Sequence, residues 1–206
     1  PAGLTGVVAV AAGSGSSMAL KSDGTVVEWG ASWMGSAPSG LTGVVAIARG
    51  TDHALALKSN GTVVAWGYNS EGQTNVPASL ANVVGITASG STSYALKSDG
   101  TVVAWGGQPT IPEGLSGIIA INASSIGGVV ALKSDGTVLA WGFEAPPADL
   151  SDVVAVAAGR NHRVALKSDG TVVAWGSGTT FTPTGSNSNL VPWNLTDVVA
   201  IAASTD

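Results

Sequence analysis

Few residues in this chain have side chains that could carry catalysis, and those few recur at fixed repeat positions. His53 and His162 are the only histidines, and each lies three residues after a glycine in the same local pattern. A catalytic base is placed once, in one cleft, within reach of the proton it transfers. Two histidines at equivalent positions of separate repeats therefore predict structural hydrogen bonding. Their separation also lacks the close ligand spacing typical of a zinc site.

Four carboxylates recur in the same way, each directly before a glycine: Asp23, Asp99, Asp135 and Asp169. Asp-Gly predicts a tight hairpin, because both residues tolerate positive φ. No such turn matches a Ca²⁺ loop, and the sequence has neither a G-x-S-x-G elbow nor a G-x-G-x-x-G loop that opens a helix. The chain also has no cysteine. The sequence therefore predicts no catalytic residue, no metal, no cofactor and no enzyme activity.

A tandem repeat of about 37 residues positions all of these side chains. KSDGTVVAWG runs from Lys97 to Gly106 and again from Lys167 to Gly176, and three further copies differ at one residue each. An apolar unit such as LTGVVAVAAG precedes every copy and returns once more from Leu195. We therefore predict a single domain over 1–206, with repeats at approximately 4–40, 41–79, 80–114, 115–149, 150–194 and a partial sixth at 195–206.

Each repeat predicts three antiparallel strands and no helix. The V-V-A-I/V-A run is short, β-branched and apolar on both faces, as in a buried strand. A-L-K and T-V-V-A-W-G flank the Asp-Gly hairpin, and the proline-containing segment after Trp-Gly is compatible with a short outer strand or with a loop alone. Units of this kind predict an all-β fold, a β-propeller whose repeat tryptophans wedge between blades. An open β-solenoid is the alternative, although its coils are usually shorter.

The order of these motifs resembles the regulator of chromosome condensation repeat family. The second repeat matches its pattern best, with Gly50, His53, Ala56-Leu57, Asn60-Gly61, Trp66-Gly67, and then Asn69, Gly72 and Gln73. The resemblance implies a propeller of about seven blades. Five full repeats and a partial sixth depart from that count, so we expect an arc or segment of a larger ring, with a compact five-bladed ring as the alternative.

The repeat sequences are more similar to those of bacterial members of this family, such as the propeller-type β-lactamase inhibitory protein. This resemblance implies protein binding. Aromatic side chains on the loops of a rigid scaffold are typical protein-binding anchors. The candidate partner-binding residues lie outside the repeat pattern and are Trp33, Met34, Tyr68, Asn69, Glu71, Phe143, Glu144, Phe181 and Trp193. Alternatively, these side chains only cover the blade edges.

Three function classes follow, and the first is a non-catalytic propeller that binds another protein through its variable loops. The second is a structural repeat module of a larger bacterial extracellular or surface assembly, whose partners are neighbouring subunits or domains. The third is a lectin-like propeller, which the unequal loops argue against. The low charge and the Ser-, Thr- and Gly-rich loops favour a secreted or cell-surface location.

We expect neither nucleic-acid binding nor membrane insertion. The formal net charge is −5, and five of the eight basic residues occupy one repeated position, so no basic patch forms. No apolar stretch reaches the ~20 residues that a membrane-spanning helix needs.

Glu28 replaces the alanine that faces a neighbouring blade in other repeats. Burying a lone carboxylate is costly, so either the first blade has an uncovered face there or Glu28 meets a partner charge. We favour the uncovered face, which agrees with the repeat count.

Overall fold

The computed structural model describes residues 2–30, 35–107, 109–124, 127–142, 144–176, 191 and 195–203. Across these ranges the protein is all-β, with five three-stranded antiparallel sheets and no helix. In each sheet, strands that are consecutive in sequence are neighbours. The predicted three-stranded repeat is therefore confirmed.

The chain divides into two compact units, 1–111 and 112–206. The first unit holds three sheets: sheet 1 with β1 (Val7–Gly13), β2 (Ser16–Lys21) and β3 (Val26–Gly30); sheet 2 with β4 (Val44–Arg49), β5 (His53–Lys58) and β6 (Val63–Gly67); and sheet 3 with β7 (Val83–Ser89), β8 (Thr92–Lys97) and β9 (Val102–Gly106).

The second unit holds two sheets. Sheet 4 contains β10 (Ile118–Ala123), β11 (Val129–Lys133) and β12 (Val138–Trp141), and sheet 5 contains β13 (Val153–Ala158), β14 (His162–Lys167) and β15 (Val172–Gly176).

The proline-containing segment that follows Trp66-Gly67 in the second repeat is a loop and adds no fourth strand. Between β6 and β7 it runs through consecutive turns, in which Gly72 N donates to Asn69 O and Leu80 N donates to Pro77 O, at 3.1 and 2.9 Å. Because these backbone groups form hydrogen bonds within the turns, the segment does not pair with β6 as an additional strand.

The hairpin turns owe their shape to the side chain before the glycine. Asp99 Oδ1 accepts hydrogen bonds from Thr101 N at 3.0 Å and Thr101 Oγ1 at 2.6 Å, and Gly100 takes φ 78°. The hydrogen bond from Lys97, together with those from Thr101, holds the pKa of Asp99 well below its usual range. In the second repeat, Asn60 accepts the same two bonds from Thr62. The structural interpretation of these carboxylates is thus confirmed, although the positive φ is taken by the glycine and not by the aspartate before it.

A left-handed residue precedes the first apolar run of every repeat. Its φ lies between 58° and 71° in all six copies, and the position is occupied by Gly6, Gly43, Asn82, Gly117, Asp152 and Asp197. Only Gly, Asn and Asp adopt this conformation at low cost. In the second, third and sixth copies the next valine donates its N–H to the hairpin glycine of the preceding repeat, from Val44 to Gly24 O at 3.2 Å, from Val83 to Gly61 O at 3.3 Å and from Val198 to Gly170 O at 3.2 Å.

Adjacent sheets pack through one apolar interface that repeats. In the first unit, Met18 and Leu20 of sheet 1 cluster with Val44 and Trp66 of sheet 2. Two further clusters follow the same scheme: Leu55 and Leu57 of sheet 2 with Val83 and Trp105 of sheet 3, and, within the second unit, Val130 and Leu132 with Ala165 and Trp175. The predicted tryptophan wedge is confirmed at these three interfaces.

A buried polar chain crosses the interface between sheets 2 and 3. Ser93 Oγ donates to Gln73 O at 2.7 Å, so its proton is already engaged. His53 Nε2, 2.9 Å from Ser93 Oγ, must therefore carry the proton of that hydrogen bond. Burial, with a smaller contribution from Arg49, lowers the pKa of His53 to about 4. His53 is thus a neutral structural residue, as the repeat pattern predicts.

The left-handed position predicts how Asn82 tolerates substitution. Asn82→Val should lower the free energy of unfolding by about 1–2 kcal/mol, because a β-branched residue is strained at positive φ, whereas Asn82→Gly should be neutral or slightly stabilising. Urea denaturation of the full chain measures both changes. Ala81→Val, at the exposed neighbour without positive φ, is the control, and an equal loss there would contradict the explanation.

The lowered pKa of His53 predicts acid sensitivity in a defined window. In the unfolded chain the imidazole takes up its proton near pH 6.5, but in the folded chain it does so only near pH 4. Stability is therefore unaffected above pH 6.5 and falls as the pH drops from 6.5 towards 4. Between pH 7 and pH 5 the loss should be about 2 kcal/mol, since each pH unit in the window costs about 1.36 kcal/mol.

Urea denaturation at pH 7, 6 and 5 tests this prediction. The matched variant is His53→Gln, whose amide can still donate to Ser93 but does not titrate, so its stability should change less over this range. A variant with the same pH slope as the wild type would show that His53 is not the responsible group.

Candidate functional site

The loop at residues 68–80 contains three of the predicted partner-binding residues, Tyr68, Asn69 and Glu71. It leaves the end of β6 and returns to the start of β7. Tyr68 donates its backbone N–H to Asp52 O at 2.9 Å, which ties the loop to the turn between β4 and β5. Its side chain is 54% exposed. Tyr68 is therefore an aromatic ring held at the surface by a fixed backbone.

Asn69 shapes the loop from within. Its Oδ1 accepts a hydrogen bond from Thr74 N, and its Nδ2 donates to Asn75 Oδ1, both at 2.9 Å. Its carbonyl oxygen also accepts from Gly72 N. Because these bonds engage its amide, Asn69 contributes by holding the conformation of the loop.

Gln73 anchors the loop to sheet 3, and its role was not predicted from the sequence. It is 1% exposed, and its Oε1 accepts the backbone N–H of Glu71 at 2.9 Å. Its carbonyl accepts both from Trp105 Nε1 at 2.9 Å and from Ser93 Oγ. The N-x-x-G-Q motif could have indicated this role, because its Asn closes the loop and its Gln anchors the loop to sheet 3.

The surface that results is aromatic and acidic. Tyr68, Ser70 and Glu71 are exposed, with the half-buried Asp52 at the neighbouring turn. Residues 68–80 contain no lysine or arginine, and the side chain of the nearby Arg49 is only 3% exposed. Such a surface suits a partner segment that offers a cation beside an apolar group.

Glu28 meets a partner charge, so the uncovered face favoured for it is wrong. Its Oε1 lies 3.2 Å from Arg49 Nη1 and accepts from Trp66 Nε1 at 3.1 Å, and its Oε2 accepts from Ala37 N at 2.7 Å. Trp66 therefore bonds to a carboxylate where Trp105 bonds to the carbonyl of Gln73. Glu28 supplies the acceptor that the first variable segment, without an N-x-x-G-Q motif, does not supply.

One further predicted residue, Glu144, lies in the described part of the chain. Glu144 is exposed and belongs to the second unit, where burial lowers the pKa of Arg163 to about 10 and the charge of Glu144 opposes that shift. Trp33, Met34, Phe143, Phe181 and Trp193 lie outside the described residues.

The described ranges give little support for a metal site or a small-molecule site. They contain no group of three His, Cys, Asp or Glu side chains placed to hold a metal ion. A cavity of about 150 Å³ in the second unit is lined by Pro147, Asp149, Leu150, Lys167 and Val173. That volume is small for a drug-sized ligand. None of the described segments forms a helix that is long and apolar enough to cross a membrane.

Solved structures similar to this chain are β-propellers. Prp20p from Saccharomyces cerevisiae is 21% identical, with a TM-score of 0.67 over 84% of this chain and 59% of its own. The receptor kinase CR4 ectodomain from Physcomitrella patens is 22% identical, with a TM-score of 0.76 over 99% of this chain and 58% of its own. Human WBSCR16 is 20% identical, with a TM-score of 0.77 over 97% and 70%.

These likenesses establish the fold, and the chain spans about three fifths of the length of the first two proteins. Among curated proteins, none matches the sequence. The model of the regulator of chromosome condensation repeat matches at two places, residues 44–73 and 153–180. These two segments are therefore regulator of chromosome condensation repeats, carried in a chain with the β-propeller fold.

Proposed function

We propose that this chain is a non-catalytic protein-binding module and that the loop at residues 68–80 is its recognition surface. The observation that carries the proposal is an exposed tyrosine and glutamate on a loop whose backbone is held at its first residue and at Gln73. Tyr68 is tied to Asp52, and Glu71 is tied to the buried Gln73. A loop already held in one conformation loses little entropy on binding, and tyrosine is among the strongest interface anchors.

The comparisons support the general class of this proposal. Prp20p is described by its binding to Gsp1p and histones, and the same yeast protein has been solved bound to Kap60. These partners belong to that protein. What we carry over is only that a protein with this fold binds other proteins, while the partner of this chain is proposed from its own loop chemistry.

That chemistry points to a protein segment with lysine or arginine next to an apolar side chain. Glu71 and Asp52 supply negative charge, and the whole chain has a formal net charge of −5. Complementary charge mainly raises the rate of encounter, whereas the ring of Tyr68 slows dissociation. We place this interaction outside a bacterial cell or at its surface, because the chain has few charges and loops rich in Ser, Thr and Gly.

The alternatives receive less support from the loops. A lectin-like propeller would repeat its sugar-binding pair in every blade, but Tyr68 and Asn69 follow Trp-Gly only in the second repeat. A structural module without a discrete ligand gives no role to an exposed tyrosine on a rigid loop.

The first prediction from this proposal concerns the double variant Tyr68→Ala, Glu71→Gln. We expect it to bind a partner captured by the wild type at least about tenfold more weakly, since each side chain is an exposed contact. Affinity capture with mass spectrometry identifies the partner, and biolayer interferometry measures its dissociation constant. Tyr68→Phe, which keeps the ring, should retain most of the affinity.

Gln73→Ala tests the contribution of the loop conformation, because it leaves Tyr68 and Glu71 in place while removing the hydrogen bond to Glu71 N. Affinity should fall in this variant as well, mostly through slower association of a loosened loop. If the double variant captures the same partner with unchanged affinity, residues 68–80 are not the recognition surface. If nothing specific is captured by the wild type, the structural-module alternative is favoured.

A further inference from the structure

The hairpin turn between β5 and β6 differs from the other four hairpin turns by one side chain. It reads K-S-N-G-T, with Asn60 where the others carry aspartate, and Asn60-Gly61 is the only Asn-Gly pair in the sequence. In the other four turns the lysine two residues earlier lies 2.8 to 4.0 Å from the aspartate. Lys58 has a neutral amide at that position instead. Exchanging the amide nitrogen of Asn60 for oxygen therefore gives the second hairpin the pattern of the other four.

An Asn-Gly pair can make this exchange without an enzyme. The backbone nitrogen of the glycine attacks Cγ of the asparagine, and the side-chain nitrogen leaves as ammonia with the proton of the glycine N–H. The resulting five-membered succinimide is opened by water at either carbonyl, which gives aspartate or its β-linked isomer. Gly61 has no Cβ to hinder its nitrogen, and Asn60 is exposed, so water reaches the site.

The closed turn slows this reaction, because both reacting groups are engaged in hydrogen bonds. Gly61 N, the attacking atom, donates to Lys58 O at 2.9 Å. Asn60 Oδ1 accepts from Thr62 N at 3.1 Å and from Thr62 Oγ1 at 2.7 Å, which fixes the side-chain amide against Thr62. Ring closure must break these bonds, so it proceeds from the fraction of molecules in which the turn is open. A hairpin turn at the surface opens at a lower free energy than the whole domain.

We propose that Asn60 is a site of spontaneous deamidation and that its aspartate product keeps the closed turn, with Lys58 as a new ion-pair partner. The product carboxylate has the acceptor oxygen that both hydrogen bonds from Thr62 require. Asp99 shows this arrangement in the third repeat, where it accepts from Thr101 N and Thr101 Oγ1 and pairs with its lysine at 2.8 Å. The aspartate product thus reproduces a turn that the fold already contains.

The β-linked isomer has a different effect on the fold. Its backbone contains one extra methylene directly before Gly61. The carbonyl of Gly61 accepts the N–H of Val83 at the start of the next repeat, at 3.3 Å. Because the extra methylene displaces this carbonyl, the β-linked isomer weakens the junction between sheets 2 and 3.

Incubation of the full chain at mildly alkaline pH, followed by peptide mapping with mass spectrometry, tests the site. Trypsin releases residues 59–97 as one peptide, in which Asn69 and Asn75 are internal controls without a following glycine. Asn60 should be modified before them in the folded chain, and at least about tenfold faster in urea, where the turn is open. Earlier modification of a control asparagine, or a folded chain whose Asn60 stays unmodified throughout, overturns the proposal.

Thr62→Val tests the restraint by the turn, because it removes the hydroxyl that bonds Asn60 Oδ1 and keeps a β-branched side chain. The rate of modification of Asn60 in the folded chain should rise about threefold or more, whereas the rate in urea should not change. Thr101→Val, at the equivalent position of the third repeat, is the matched control and should leave both rates unchanged. No change in Thr62→Val, or the same change in the control, contradicts the restraint.

Asn60→Asp reproduces the aspartate product directly. By NMR titration its carboxyl pKa should lie well below the ordinary value, as the bonds from Lys97 and Thr101 lower the pKa of Asp99. Adding Lys58→Met should raise that pKa. An ordinary pKa in Asn60→Asp overturns the closed-turn product. Partner binding should not change in this variant, since Asn60 and the recognition surface lie at opposite ends of β6.

Discussion

Packing of one sheet against the next is the interaction on which the rest of this structure depends. A three-stranded sheet of short strands cannot bury its apolar faces alone, so its stability comes from its neighbours. Here Met18 and Leu20, or Leu55 and Leu57, fill the space beneath the tryptophan of the following sheet. The small alanines of the central strands allow this close approach, and burial between sheets explains why only 10% of the residues are charged.

Each tryptophan between two sheets places a polar indole N–H in an apolar interface, and the hydrogen-bond acceptor for this N–H differs from repeat to repeat. Trp66 donates to Glu28, and Trp105 donates to the carbonyl of Gln73. Trp175 has no such acceptor among the described residues. Since an unpaired buried donor costs about 1–3 kcal/mol, the acceptor that the variable segment supplies at Gln73 influences stability as well as surface chemistry.

Local patterns predicted most of the fold. Hairpins follow from Asp-Gly, and the strands follow from short apolar runs that recur at one period. The partner of Glu28 could not be predicted in this way, because Arg49 is 21 residues away on another sheet and meets it only through packing. Tyr68 and Glu71 were predicted as exceptions to the repeat. Gln73 was missed as an anchor because its carbonyl, which any residue possesses, makes the decisive contacts.

The different roles of the sheets and the loops follow from the packing of one sheet against the next. A strand side chain contacts a neighbouring sheet, so a change at Leu57 or Trp105 must be matched across the interface. A loop residue such as Tyr68 contacts mainly solvent, and it can vary as long as Asn69 and Gln73 hold the backbone. This is why the proposed recognition surface is placed on a loop. Sheet 1 is the exception, because its strand residues Val10 and Trp29 keep interface chemistry while remaining exposed.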